Sequence, residues 1–268
     1  RERNANRRMN PPATALSAPD SETSTTHCVV ADITVALTVE GALHLEEEAT
    51  LVVADLHLEK GSAFAARGQM LPPYDTSATL RRLAAVIARL APRRVVALGD
   101  SFHDRRAAER LGEADRSLLG QLVAGCEWIW IAGNHDPLPP AALGGHAARE
   151  VTLGPLTFRH EPRPGRAPGE VAGHLHPSAR VVGRGGGSVR RRCFIANRER
   201  LVMPAFGALA GGLDVLDDAF RPLFHGAPFH AFMLGEAVHK VAAHRLAGEA
   251  RGGHIQVARR PVRRPAAR

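Results

Sequence analysis

The sequence predicts an α/β protein of four layers: two β-sheets packed face to face as a sandwich and flanked by α-helices. Three observations predict it. Up to about residue 150, short apolar runs alternate with amphipathic helical stretches. Beyond that point the pattern is strand upon strand. The chain has 268 residues, 44 % of them hydrophobic, enough to bury a real core in one large domain or two small ones. Aromatic residues are scarce, so Leu, Val, Ile and Ala must fill that core.

Residues 1–26 are rich in Arg, Asn, Pro, Ser and Thr, lack hydrophobic periodicity and read as a disordered arm. The domain is expected over 27–224. Cys28–Leu37 and Ala42–Leu45 read as a hairpin turning at Glu40-Gly41. Leu51–Ala54 is a short apolar run that suits a buried strand. Asp75 or Thr76 caps a helix whose apolar face uses Leu80, Leu83, Ile87 and Leu90, and Pro92 ends it. Val95–Leu98 is the next buried strand, Ala114–Val123 a second amphipathic helix stopped by Gly125, and Trp128–Ile131 a third strand. Trp128 and Trp130 read as core. Strands follow at Leu156–Arg159, Glu170–Ala172, Ala179–Val182, Val189–Ile195 and Leu201–Met203, with loops or hairpin tips at Pro162–Pro168 and Gly185–Gly187. Residues 225–268 mix His, Gly, Pro and Arg and read as a basic tail with little fixed structure beyond a short helix over Ala231–Leu246.

The formal charge of +8 is unevenly placed. Residues 225–268 hold eight Lys/Arg against two acids, whereas 27–224 hold 23 against 22. The basic character sits mainly in the tail, and a nucleic-acid function cannot be read from net charge alone. Cys28, Cys126 and Cys193 are widely spaced and odd in number, which disfavours a disulfide framework and fits a reducing cytoplasm, with the thiols structural and buried. No signal-peptide pattern and no apolar stretch of membrane-spanning length is seen, so a soluble cytoplasmic protein without a membrane partner is expected.

Five segments carry the chemistry: Asp55-Leu56-His57, Gly99-Asp100, Gly133-Asn134-His135-Asp136, His160 and Gly173-His174-Leu175-His176. Each lies at the end of an apolar run. Asp55 and His57, two apart, offer an oxygen and an imidazole to one ion. The two oxygens of Asp100 can bridge two ions, Asn134 adds a neutral carbonyl oxygen, and His160, His174 and His176 add imidazoles. Mixed carboxylate, amide and imidazole ligation suits two divalent ions, with Mn²⁺ favoured and Fe or Zn²⁺ accommodated, and disfavours Ca²⁺. Two ions about 3.5–4 Å apart hold a bridging hydroxide as nucleophile and bind both free oxygens of a phosphoryl group. His135, beside a ligand, is placed to protonate the leaving oxygen.

This ordered set resembles the calcineurin-like metallophosphoesterases. The longer strings DLHLEKGSAFAARGQMLPPYDTSATL, LGDSFHD, WIWIAGNHDP, FRHEP, AGHLHP and MPAFGALAGGLDVLD resemble the bacterial ligase-associated DNA-damage-response metallophosphoesterases. The resemblance covers about residues 27–224 and implies the two-sheet sandwich with flanking helices. It implies one metal on Asp55, His57, Asp100 and His176, a second on Asp100, Asn134, His160 and His174, and His135 as general acid. It also implies a phosphodiesterase or endonuclease acting on nucleic acid in DNA repair, associated with an ATP-dependent DNA ligase and a helicase. One departure stands out. The family's second motif is usually Gly-Asp-x-x-Asp, its last carboxylate orienting the acid histidine; here the carboxylate comes one place late, at Asp104. Either His103 or Asp104 takes the orienting role.

Lys60 and Arg67 follow the first segment and read either as contacts to substrate phosphate or as helix surface. Arg105 and Arg106 read the same two ways. Arg190-Arg191-Arg192, beside the glycine-rich tip, reads as a solvated edge or a nucleic-acid contact. Competing functions are a hydrolase of small nucleotides or of a lipid-linked pyrophosphate, a protein phosphatase, and a noncatalytic interaction module on the same fold.

Overall fold

The structure, a computed structural model, describes residues 25–138, 141–224 and 226–248. Residues 1–24 of the arm expected over 1–26, the tail beyond 248, and His225 and His254 lie outside the described residues; Thr26, assigned to the arm, instead opens the first strand.

The first sheet has seven strands in sequence order: β1 (Thr26–Val30), β2 (Ile33–Leu37), β3 (Leu43–Leu45), β4 (Thr50–Val53), β5 (Arg94–Leu98), β6 (Glu127–Ile131) and β7 (His146–Ala148). β1 to β4 pair antiparallel; β4 to β7 pair parallel. Parallel strands need crossovers, and helices supply them: α1 (Lys60–Ala65) and α2 (Asp75–Leu90) after β4, α3 (Ala107–Arg110) and α4 (Glu113–Ala124) after β5. The second sheet holds β8 (Glu150–Leu153), β9 (Leu156–Arg159), β10 (Glu170–Ala172), β11 (Pro177–Val182), β12 (Ser188–Ala196), β13 (Arg200–Val202), β14 (Leu213–Asp214), β15 (His230–Leu234) and β16 (Val238–Ala242). Its order is β14-β11-β12-β13-β10-β9-β8, with β15 on β12 and β16 on β15. A last short helix, α5 (Arg221–Phe224), covers its far face.

Strand periodicity divides the apolar side chains between layers. On β4, Val52 joins the core between the sheets, where Val96, Ile129, Phe158, Val171 and Phe194 also pack. Leu51 and Val53 face the other way, against Leu80, Leu83 and Val86 of α2 and Leu119 and Val123 of α4. Trp128 and Trp130 lie in this helix-side cluster, as core. Being buried on both faces explains why β4, β5 and β6 read as unbroken apolar runs.

Several expectations need correction. Cys28–Leu37 is two strands, because Ala31 (φ 47°) and Asp32 (φ 62°) both adopt the left-handed conformation of a two-residue hairpin turn. Asp75 and Thr76 do not cap α2. Tyr74 sits at the cap without a side-chain bond. The Asp75 carboxylate instead accepts from the Gly61 amide (3.0 Å) and the Thr76 hydroxyl from the Glu59 amide (2.7 Å), tying the helix start to the loop after His57. The segment read as an unstructured tail with a helix over Ala231–Leu246 is strand: β15 pairs with β12 and β16 with β15. Phe232 then enters the inter-sheet core and Leu246 the outer cluster, so ordered packing continues well past residue 224. Of the three free thiols, only Cys193 is fully buried; Cys28 is half-buried, and burial pushes its thiol up to about 12.

Candidate metal centre

The five segments all emerge from the carboxyl ends of strands. β4 runs into Asp55, β5 into Gly99-Asp100 and β6 toward Asn134-His135, side by side on the parallel part of the first sheet. β9 runs into His160 and β10 into Gly173-His174, parallel neighbours in the second. Backbone bonds Asp55 N to Gly99 O (3.2 Å) and Gly173 N to His160 O (2.9 Å) hold each set together. The His174 amide donates to Asp55 Oδ2 (2.9 Å) and joins the sheets.

The chain turns sharply at these ends. Asp55, His57, Asp100, His174 and His176 all have positive φ, between 44° and 68°. Such conformations cost about 1–3 kcal/mol each in a non-glycine residue and persist only where surrounding structure enforces them. The glycines in the motifs answer to close approach. A Cβ on Gly133 would collide with the Asp100 amide, and one on Gly173 would lie 2.6 Å from Asp55 Oδ2.

Two groups of donor atoms result, one from Asp55, His57 and His176 and the other from Asp100, His160 and His174. In the first, the Nε2 atoms of His57 and His176 face each other at 3.2 Å, with Asp55 Oδ1 3.3 Å from His176 Nε2. Asp55 Oδ1 is buried with no hydrogen-bond partner. A buried carboxylate oxygen facing two imidazole nitrogens is the environment a divalent cation satisfies. In the second, His160 Nε2 lies 2.9 Å from Asn134 Oδ1, 3.2 Å from His174 Nδ1 and 3.3 Å from Asp100 Oδ2. His160 Nδ1 donates to the Leu98 carbonyl (3.1 Å), which turns Nε2 inward toward the other donors. Asp100 Oδ2 is also 3.9 Å from His57 Nε2, so this carboxylate stands between the two groups.

The electrostatics follow from packing carboxylates and imidazoles out of water. Burial pushes His57 down to about 3, against the pull of Asp55 and Asp100. Burial alone would raise Asp100, but its bond to His160, that residue's charge and the His135 amide bring it down to about 2. Burial likewise opposes protonation of His160, yet Asp100 and Asp55 raise it to about 9. A site that concentrates negative charge in this way is suited to cations.

His135 is 40 % exposed and directs Nε2 toward the site, 3.9 Å from Asp100 Oδ2. Its Nδ1 donates to the His103 main-chain carbonyl at 2.8 Å. The two imidazole rings stack, with centroids 5.2 Å apart and planes 22° apart. The Asp104 carboxylate is engaged elsewhere, bidentate on Arg110 at 2.8 and 3.1 Å and on the Arg106 amide. The partner of His135 is therefore the backbone of His103, held by its own amide bond to Leu58 O (2.9 Å). Lys60 and Arg67 lie at the rim, close enough that both positive charges reach His103, whose imidazole burial pushes down to about 4. Arg106 instead forms a surface pair with Glu109.

Sequence reasoning quoted Asp136 within its motif but gave it no task. It is buried, its Oδ2 accepts from the Phe102 amide (2.9 Å), and burial raises its carboxyl to about 7. It locks the β5 and β6 loops together. The signal that could have found it was its place in the rare run Gly-Asn-His-Asp.

Two clusters of mixed oxygen and nitrogen donors at the strand ends of a helix-flanked β-sandwich define a metal-dependent phosphoester hydrolase. The sequence model of the calcineurin-like phosphoesterase family matches residues 49–215, more than half of the chain, and the protein belongs to that family. Among solved structures it is similar to the Pseudomonas putida nuclease MPE, with 28 % identity over 81 % of this chain and 100 % of that one and a TM-score of 0.63. It also matches the E. coli phosphoesterase Yfce, at 15 % identity over 72 % of this chain and 98 % of that one, with a TM-score of 0.36. No curated protein matches it in sequence. No helix among the described residues is long and apolar enough to cross a membrane.

Proposed function

We propose that the protein is a phosphodiesterase that cuts nucleic acid. The observation that carries this is the convergence of the two donor groups with Asp100 between them, in a chain similar along the whole length of a Pseudomonas nuclease. Asp55, His57, Asp100 and His176 would hold one divalent ion, and Asp100, Asn134, His160 and His174 the other. When bound, such ions supply an activated water as nucleophile and neutralise the phosphoryl oxygens. Mn²⁺ is the favoured metal, with Fe or Zn²⁺ accommodated by the same donors.

The rest of the chemistry belongs to the chain. The His103 carbonyl can only accept, so His135 keeps a proton on Nδ1 and turns Nε2 toward the reacting phosphate. In its imidazolium form it gives the Nε2 proton to the departing alkoxide and is left neutral with the proton on Nδ1. Lys60 at the rim opposes the charge of an incoming phosphate and draws it toward the metals. The resemblance to ligase-associated enzymes supports work in DNA repair, beside an ATP-dependent DNA ligase and a helicase, in the cytoplasm.

The test is hydrolysis of bis-p-nitrophenyl phosphate, its monoester and an oligodeoxynucleotide with Mn²⁺ and then with EDTA. Diester and DNA cleavage that needs metal is expected. Asp100→Ala or His174→Ala should lower it about a thousandfold or more, since each metal supplies several kcal/mol of transition-state stabilisation. Intact activity in either variant would sink the reading.

A further inference from the structure

The hairpin that leaves the metal centre carries a charge pattern that the site does not use. β11 begins at the residue after His176, and β11 and β12 form an antiparallel pair from Ser178–Arg192 to Val182–Ser188. β14 joins β11 only at Pro177 and Ser178, and β15 joins β12 only from Cys193 onward. The Ala247 amide still reaches the Arg180 carbonyl (2.9 Å), but beyond Arg180 the hairpin is a two-stranded ribbon with no further strand beside it among the described residues.

This ribbon is basic and contains no acid. Residues 177–196 hold five arginines and no Asp or Glu, while the rest of 27–224 holds 18 basic against 22 acidic residues. The positive charge of an otherwise acidic body is therefore gathered in one element. Register puts Arg180, Arg190 and Arg192 on one face. Arg192 is half-buried at the base and donates to the carbonyls of Ala205 (2.9 Å) and Gly207 (3.1 Å). Gly207 in turn packs on the Leu56 carbonyl, between two candidate ligands. Arg190 reaches the Gly212 carbonyl (2.6 Å) in the same loop. Arg180 stands directly across from Arg190, and Arg184 lies at the tip. The face thus runs from the edge of the metal centre outward.

Arg180 lies directly opposite Arg190, so the register gathers both guanidinium groups on one face. The tip is slim: Gly186 (φ 81°) is required by the turn itself, but a Cβ at Gly185 or Gly187 would meet no atom within 4 Å, so packing does not demand those two glycines. Small residues at an unpacked tip allow another backbone to come close.

We propose that this ribbon is the docking surface for the phosphodiester backbone of a nucleic acid, and that it guides one strand from the arginine face into the metal centre. The proposal rests on the nuclease reading and deepens it by naming where the flanking phosphates lie.

The experiment measures binding of a fluorescein-labelled single-stranded oligodeoxynucleotide to the full chain, in EDTA so that nothing is cut, across a salt series. Comparison is with R180Q/R184Q/R190Q and the charge-conserving R180K/R184K/R190K. Losing three phosphate contacts should flatten the plot of log affinity against log salt by about 2 units of slope, at roughly 0.7 per contact. The lysine variant should keep the wild-type slope, which separates charge from folding. An unchanged slope in the glutamine variant would overturn the proposal, as would a glutamine variant that keeps wild-type binding to the oligodeoxynucleotide but no longer binds vesicles of anionic phospholipid that the wild type binds. A wild-type protein that binds DNA through these arginines but cleaves only small diesters would refute the nuclease reading and leave the ribbon standing.

Discussion

Glu170 and His174 lie four residues apart, at opposite ends of β10, and both ends bury charge. They solve the problem differently. At the Glu170 end, charges meet partners. Arg200 pairs with Glu170 at 3.1 Å and donates to the carbonyls of Leu223, Arg163 and Gly165 at 3.0–3.1 Å. Glu170 also accepts from the Arg163 amide. At the His174 end, carboxylates crowd with imidazoles, and among the described residues neither Lys nor Arg pairs with Asp55, Asp100 or Asp136. Asp55 Oδ1, His57 Nδ1 and Asp136 Oδ1 have no hydrogen-bond partner among the described residues; Glu170 Oε2 also makes no hydrogen bond but faces the Arg200 guanidinium at 3.1 Å. A buried cluster closed by its own counter-charges holds a fold together. One left open, with lone pairs converging, holds something else.

The contrast can be broken by mutation. The largest expected effect on stability is at the closed end. Arg200→Met leaves Glu170 buried without its partner and should cost about 3–5 kcal/mol in urea unfolding. His174→Ala, at the open end, should shift the same midpoint by less than about 1 kcal/mol, because His174 is only half-buried, while activity is lost. Equal destabilisation by both would erase the distinction.

A smaller effect tests how the open end is aimed. His103→Ala keeps the carbonyl that holds His135 but removes the stacked ring. It should lower kcat about tenfold with KM unchanged, the size of a loosened orienting contact. His103→Phe restores a planar ring and should recover most of the loss. If Phe were as poor as Ala, the imidazole would be doing chemistry of its own.

The smallest effect concerns Asp104. Slight burial would raise its carboxyl, but Arg110 and the Arg106 amide hold it below its usual value. A depressed carboxyl adds stability that is present above pH 4 and lost as pH falls below it. Thermal melts of Asp104→Asn and wild type should therefore differ by under about 1 kcal/mol at pH 7 and converge in acid, as for a surface pair. A large fall in kcat would return Asp104 to the orienting role.

Much of this was readable in the chain. Leu51–Ala54, Val95–Leu98 and Trp128–Ile131 declare buried parallel strands through unbroken apolar runs, and the five ligand segments follow strands in order. What was not readable depends on partners distant in sequence. β15 alternates too weakly to announce itself, and its strand character comes from pairing with Cys193–Ala196. Asp75 and Thr76 look like caps because cap residues are of their type; only the fold brings Gly61 and Glu59 within reach. The orienting group on His135 had no sequence signature, since every residue has a carbonyl.

The left-handed turns at five candidate ligands bear on metal exchange. Bonds such as His57 N to Asp100 O and His174 N to Asp55 Oδ2 hold the chain in these turns. A socket held by protein bonds of this kind would keep its shape when its ions are removed. A chelated sample should refill without refolding, and different divalent ions should enter and leave one mould, so that supply in the cell decides which of them is resident.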